Sequence, residues 1–434
     1  MKDVRHAIGI QDMSFELVTV KSLVEREVLY RPIDGNHGEI HPKTEDFVAE
    51  GVPFVMASDL KNGRIDYAGC AHITVKQAEG LRKGFAVNGD VLLTHKATIG
   101  ETAIVQYDKH PYVMLTPQVT YYRVRNPAVL DNRYLRYYFD SSLLQQTLHM
   151  LASSGSTRAY LGITEQHRLP VILPPIAVQK KIAAVLSAYD DLIANNHRRI
   201  ALLETMAEEI YREWFVRMRF PGCGSTTFEK GCPVSWQVGQ LGDIATFTMG
   251  QSPSSEFYND RGDGPPFHQG VGTYGPRYPR HEVFCTEPGR SAKSGDILFS
   301  VRAPVGRLNI ADVDLTIGRG LAAMRHVQGK NSHLFYLLRV SFANEDIIGN
   351  GSIFNSVGKD ELSRFPIYRP DAALVERFDN LVKPMDEELR VLYSSVQQLA
   401  ATRDTLLPRL ISGKLKVDHL DVDMRPSRQA VAPA

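Results

Sequence analysis

Ten positions recur twice along this chain in the same alternating spacing of four and three, at a fixed offset of 196 residues. In the first copy they are Ile182, Leu186, Tyr189, Ile193, Asn196, Ile200, Leu203, Ala207, Ile210 and Trp214. In the second they are Phe378, Val382, Met385, Leu389, Leu392, Val396, Leu399, Arg403, Leu406 and Leu410. Heptad steps place such residues on one stripe of a helix, and an apolar stripe needs a cover. Each seam corresponds to roughly 50 Å of helix at a rise of ~1.5 Å per residue. One side of a globule rarely covers that much, so the two helices are expected to pair with each other; packing of each on its own globule is the alternative. Asn196 and Arg403 are polar seam positions of the kind that fix register. Pro384 predicts a kink or the true start of the second helix, and Pro408 predicts its end near Leu407.

The regions before the helices also repeat. GDVLLTHKATIGETAIV (89–105) matches GDILFSVRAPVGRLNIA (295–311), sharing Gly89/Gly295, Asp90/Asp296 and Gly100/Gly306. GSTRAYLGITEQHRLPVILP (155–174) matches GSIFNSVGKDELSRFPIYRP (351–370), and Asn132, Leu135 and Tyr137 recur as Asn331, Leu334 and Tyr336. FELVTVKSL (15–23) loosely echoes WQVGQLGDI (236–244). The offsets fall in order along the chain, as gaps in loops of a duplicated domain produce. Each half reads as a Gly-Asp turn into short strands, then a helix (133–148 and 333–347), then the long helix. The expected fold is mixed α/β (α+β): two similar globules in tandem, each followed by a long helix, with the helices paired as an antiparallel coiled coil. The expected boundaries are 1–175 for the first globule, 176–216 for its helix, 217–235 for a Pro/Gly/Ser-rich linker, 236–370 for the second globule, 371–417 for the second helix and 418–434 for a disordered tail.

Chemistry is scarce. No P-loop or nucleophile elbow occurs. The nearest approach to an amine-methylating loop, Gly264-Pro265-Pro266-Phe267, lacks the leading Asp or Asn and reads as a turn. Cys70, Cys223, Cys232 and Cys285 form no metal-binding pair, His37 and His41 lie in a loop, and no catalytic residue, metal site or cofactor is expected in this chain. The N-terminal MKDVRHAIGIQDM has no apolar signal core and no run spans a bilayer, so a cytoplasmic protein is expected.

Fifty Lys+Arg against 49 Asp+Glu gives a net charge of +1, so any nucleic-acid surface must be local. Arg277 and Arg280 in GVGTYGPRYPRH (270–281), and Lys61, Asn62 and Arg64 in ASDLKNGRIDY (57–67), sit in loops suited to phosphate and base-edge contacts. Lys96 and Arg302 occupy equivalent positions beside a turn, and Arg158 and Asn355 complete the candidate set. For each residue taken singly, ordinary solvated loop charge is the competing reading.

The combination Gly-Asp-Val/Ile-Leu, then Gly-Ser…Pro, then a long helix, all present twice, resembles the specificity subunits of type I restriction-modification enzymes. GSTRAYLGITEQHRLPVILPPIAVQKKIAAVL, its more divergent counterpart GSIFNSVGKDELSRFPIYRPDAALVERFDNLV, and the closing LLPRLISGKLKV (406–417) carry the likeness, which covers nearly the whole chain. The resemblance implies two target-recognition domains reading a bipartite site in double-stranded DNA, with the helices as spacer. It also implies docking of two modification (methyltransferase) subunits and of restriction subunits (ATP-dependent translocase and nuclease). S-adenosylmethionine, ATP and Mg belong on those partners. A non-enzymatic scaffold or adaptor, or a solitary DNA-binding protein, is the alternative.

Overall fold

The computed structural model describes residues 14–38, 40–107, 109–152, 160–287, 289–343, 347–348, 352–353 and 356–421. It divides into two compact units, residues 1–194 with 396–434, and residues 195–395. The division crosses both long helices. Each unit therefore holds one globule with half of each helix.

In the first unit, an antiparallel sheet runs in the order Ile33–Asp34, Val119–Tyr122, Val91–Lys96, Thr98–Ile104. A second sheet orders Ala71–Ile73, Val52–Val55, Val113–Leu115 and Phe85–Ala86, with its middle pair parallel. The second unit repeats this. Ala245–Met249, Leu321–His326, Ile297–Ser300 and Leu308–Ile310 form an antiparallel sheet, and Phe267–His268 lies parallel to Leu315–Ile317. A two-stranded ribbon closes each globule, Glu16–Thr19 with Pro170–Leu173 and Gln237–Gln240 with Pro366–Arg369. The loose echo between residues 15–23 and 236–244 is thus a structural equivalence.

The repeated Gly-Asp and Asn have a local cause. Gly89 and Gly295 sit in the left-handed region (φ 89° and 84°), which only glycine enters cheaply. The carboxylates that follow accept from Val87 N (2.8 Å) and Lys293 N (2.7 Å). Asn132 and Asn331 each donate to the turn glycine's carbonyl at 2.8 Å, tying the turn to the start of helix Asn132–Asp140 or Asn331–Ser341. Arg123 on Asp90 (2.7 Å) and Arg325 on Asp296 (2.5 Å) complete the same node twice.

Several expectations are corrected. The helix expected over 133–148 breaks at Ser141, whose backbone is extended and whose hydroxyl donates to Tyr138 O at 2.6 Å; a separate helix, Ser142–Ala152, follows. The helix expected over 333–347 ends at Ser341. The segment expected as a linker is built into the second unit: it carries the Phe228–Glu229/Cys232–Pro233 hairpin, and buried Phe220 stacks on buried Trp236.

The first long helix is Ile176–Tyr211, continued by a π-turn over Arg212–Val216, and the second is Ala372–Ile411. The second runs through both prolines. Pro384 and Pro408 are exposed, so the carbonyls they leave without an N–H donor face water and the helix continues. Every described seam position is buried or half-buried. In the first unit Ile182 and Leu186 share a core with Leu407, Leu410 and Ile411, and in the second Ala207 and Tyr211 share one with Phe378 and Val382. Start meets end in both, so the pairing is antiparallel. Arg403 bonds Asp190 at 2.7 Å in the first unit; in the second, Asn196 Nδ2 donates to Ser395 at 3.1 Å and Arg199 pairs with Glu388. Of the tail expected after Val417, residues 418–421 are described: Lys181 Nζ donates to Asp418 O at 2.6 Å and Leu420 packs on the first core. Residues 422–434 lie outside the described residues.

Candidate nucleic-acid interface

The sequence-predicted residues fall at two ends of each globule. Lys96 ends the first strand of hairpin Val91–Lys96/Thr98–Ile104, beside Ala97 in the left-handed region (φ 67°). Lys96 is exposed and bridges to Tyr160, itself half exposed. His95 N donates to Gln118 O, and Leu161 N donates to His95 O, each at 2.9 Å. The second unit has the same corner. Arg302 is exposed and bridges to Ser356, Val301 N donates to Gly320 O, and Val357 N donates to Val301 O, both at 2.9 Å. Arg158 and Asn355 lie outside the described residues; Tyr160 and Ser356 are the nearest described neighbours in each copy.

The corner adds residues that sequence reading missed. Arg319 is exposed between Gly318 and Gly320, and its backbone N–H donates to Ser252 Oγ (3.2 Å), which in turn donates to Gln269 Oε1 (2.8 Å). A Cβ on Gly318 or Gly320 would fall on Gln269. No sequence signal marks Arg319, because the two glycines are required only by the packing of Gln269. The first-unit counterpart of Arg319 is Pro117, because Gln118 and Gly320 accept the equivalent backbone hydrogen bonds.

Lys61, Asn62 and Arg64 are elsewhere. They form a tight turn, with Asn62 and Gly63 at φ 52° and 76°, that pairs Leu60–Lys61 with Arg64–Ile65. Gly63 bridges to Ala103, five residues along the hairpin from Thr98 and so roughly 17 Å from the corner at ~3.4 Å per residue. Arg64 bonds Asp191 of the first long helix at 3.0 Å, and Lys61 bonds Asp66 at 2.9 Å. Gly63 is required there, because a Cβ would collide with the Arg136 guanidinium.

Arg277 is the clearest correction. Read from sequence as a loop residue for DNA, it is 1% exposed and bonds Asp386 of the second long helix at 2.5 Å, with Glu204 of the first at 3.6 Å. Its guanidinium lies 4.5 Å from the centre of the Phe335 ring. Burial works against its charge, but Asp386 and the neighbouring tyrosines outweigh that and raise its pKa. A guanidinium so engaged is not offered to a phosphate. Arg280, three residues on, is exposed.

A matching node anchors the first globule. Arg136 bonds Asp140 and Asp190 at 2.9 Å each, Tyr137 Oη donates to Asp190 at 2.6 Å, and Arg403 holds the other Asp190 oxygen. Burial pushes the Asp190 carboxyl upward, yet Arg136, Tyr137 and Arg403 hold it below its ordinary value. Asp190 and Asp386 are equivalent repeat positions, as are Tyr137 and Tyr336, which donates to Asp386 at 3.2 Å. Among the described residues no group of three His, Cys, Asp or Glu is arranged to hold a metal, and no helix is long and apolar enough to cross a membrane.

In both units a repeated globule carries an exposed basic residue at the same corner and packs on antiparallel helix segments, the arrangement of a duplicated domain. The family model "Type I restriction modification DNA specificity domain" matches residues 33–205 and 233–383, and the chain belongs to that family. A putative type I restriction enzyme MjaX specificity subunit of Methanocaldococcus jannaschii is 28% identical over 375 residues, covering 85% of this chain and 88% of that protein. The type I restriction enzyme MjaIX specificity subunit of the same organism is 25% identical over 400 residues, covering 87% and 90%. The fold resembles the crystal structure of a type I restriction-modification system S subunit from M. genitalium, with a TM-score of 0.58 at 16% identity over 92% of this chain and 96% of that one.

Proposed function

We propose that the chain is the non-catalytic DNA-specificity subunit of a type I restriction-modification complex. Each globule reads one half of a bipartite duplex site, and the seam from Ile182 to Ile210 and from Phe378 to Leu406 sets the distance between the halves. The observation that carries this is the corner of Lys96 and Arg302, rebuilt on the same backbone hydrogen bonds in two copies of a family domain. A single cationic corner could be incidental; one preserved through duplication at equivalent backbone positions suits paired phosphate and base contacts. Residues 1–175 and 236–370 are the two recognition domains in this reading. Helices of about 50 Å match about one and a half turns of B-DNA, leaving several base pairs unread between the halves. Two modification subunits bearing S-adenosylmethionine dock on the helices. Restriction subunits using ATP and Mg join them, in the cytoplasm.

The test is to assemble the chain with a modification subunit, expose genomic DNA to the complex with S-adenosylmethionine, and map the methylated adenines. A two-part motif is expected, with no methylation by the chain alone. Lys96→Glu should weaken methylation through one half-site and Arg302→Glu through the other. Methyl transfer by the isolated chain, or methylation without a motif, would overturn the reading.

A further inference from the structure

We propose that Arg277 is a positioning residue: it fixes loop 269–281 of the second globule to the paired helices, so that the fidelity of the second half-site depends on a side chain that does not touch DNA. The inference rests on the DNA-reading function proposed above.

The loop is a stiff bar between two places. One end, Gln269, belongs to the corner: it accepts from Ser252, and its carbonyl accepts from Gly320 N at 3.1 Å. The middle is cross-braced, with Gly275 N donating to Tyr278 O (3.1 Å), Arg280 N to Thr273 O (2.8 Å), and Asn309 Nδ2 to Gly275 O (2.9 Å). At its base, Thr273, His268, His281 and Asp312 form one hydrogen-bonded chain with links of 2.7, 3.1 and 3.2 Å. The other end is Arg277, inserted between Asp386 of one long helix and Glu204 of the other, while Tyr278 packs edge-on against Tyr393. A shift of the helices under Arg277 is therefore carried to Gln269 and Arg319.

The energetics favour positioning over stabilisation. A buried arginine must be desolvated, and apolar replacements of buried ion pairs are often neutral or better. Arg277 Nε and Nη1 are buried without a hydrogen-bond partner, so the site is not optimised for stability. Holding a register is the best-attested use of such groups.

The test uses the same assembled complex and the same methylation map, with the second half-site defined as the one that responds to Arg302→Glu. In Arg277→Met, discrimination against single mismatches in the second half-site should fall about tenfold, within the range one mismatch normally commands. The first half-site should stay as strict as in the parent. Arg277→Lys should restore part of the lost discrimination, which a purely volume-filling role would not predict. Unchanged stringency at both halves in Arg277→Met overturns the inference. If that variant fails to assemble, Arg277→Lys and Asp386→Asn decide: relaxed second-half reading in either supports it, and parental stringency in both overturns it. Absence of any two-part motif in the parent complex would sink the DNA-reading function instead, so the two failures are distinguishable.

Discussion

In the first unit a carboxylate, Asp190, is held by two arginines, Arg136 from the globule and Arg403 from the second long helix. In the second unit a guanidinium, Arg277, is held by two carboxylates, Asp386 and Glu204, one from each helix. The stoichiometry is inverted, and so is the source of the globular arginine. Helix Asn132–Asp140 supplies it in one copy and a loop in the other, where Phe335 fills the place of Arg136. Duplication kept the demand, which was to seat a globule on a helix pair through an aspartate and a tyrosine. The cation that answers the demand was free to move. The first node has the closer reserve: if Asp190 is lost, Arg136 retains Asp140 at 2.9 Å and Arg403 retains Asp404, whereas Arg277 without Asp386 retains Glu204 at 3.6 Å.

That asymmetry can be broken from the second unit first. Asp386→Ala leaves a buried guanidinium with Glu204 alone and should cost about 3–5 kcal/mol, whereas Asp190→Ala should cost about 2 kcal/mol. Both tryptophans, Trp214 and Trp236, belong to the second unit, so urea unfolding followed by indole fluorescence reads it selectively. Hydrogen exchange in helix Asn132–Asp140 reads the first. Equal losses for the two substitutions would erase the proposed difference.

Next in size is Gly63→Ala, which forces a Cβ onto Arg136 at a φ of 76° and should cost about 2–3 kcal/mol. The loss should appear in the first unit alone, because the second reaches its helices without such a turn. An unaltered exchange rate in helix Asn132–Asp140 would mean that the turn yields rather than the guanidinium.

The smallest effect concerns His333, buried among Tyr211, Phe215 and Phe378 with neither ring nitrogen hydrogen-bonded. Burial lowers its pKa to about 3, against an unfolded value near ~6.5. Between those values the unfolded chain binds the extra proton. The stability it contributes is therefore complete above about pH 6.5 and is lost as pH falls toward 3. His333→Phe should stabilise the second unit by about 1 kcal/mol at neutral pH and flatten its acid slope. An unchanged dependence of the urea midpoint on pH from 4 to 6.5 would count against that assignment.

Much of this was legible in the residues because it depends on spacing. A heptad stripe, a Gly-Asp turn and an ordered set of repeats are local or periodic, and each reappears as structure. Arg277 was misread because the same letter in the same Gly/Pro loop can face water or a helix. Only tertiary placement brought Asp386 and Glu204 to it. Pro408 misled for a related reason: the rule that proline ends a helix assumes that the lost hydrogen bond is costly, and on an exposed face water replaces it. The residues at 217–235 have a linker's composition, but Phe220 finds Trp236 and the segment folds. Arg319 was missed because its glycine neighbours matter only once Gln269 is packed against them.

The division of the chain has a consequence for how it is made. The second unit is continuous, from 195 to 395, whereas the first needs residues from both sides of it. Leu410, Ile411 and Val417, each at most 2% exposed, sit in the first unit's core beside Ile182 and Leu186. A growing chain therefore holds its earliest-made globule open, with its apolar surface uncovered, through the synthesis of everything between. A stop codon near residue 400 would do its damage more than two hundred residues upstream, in the half of the molecule that was translated first.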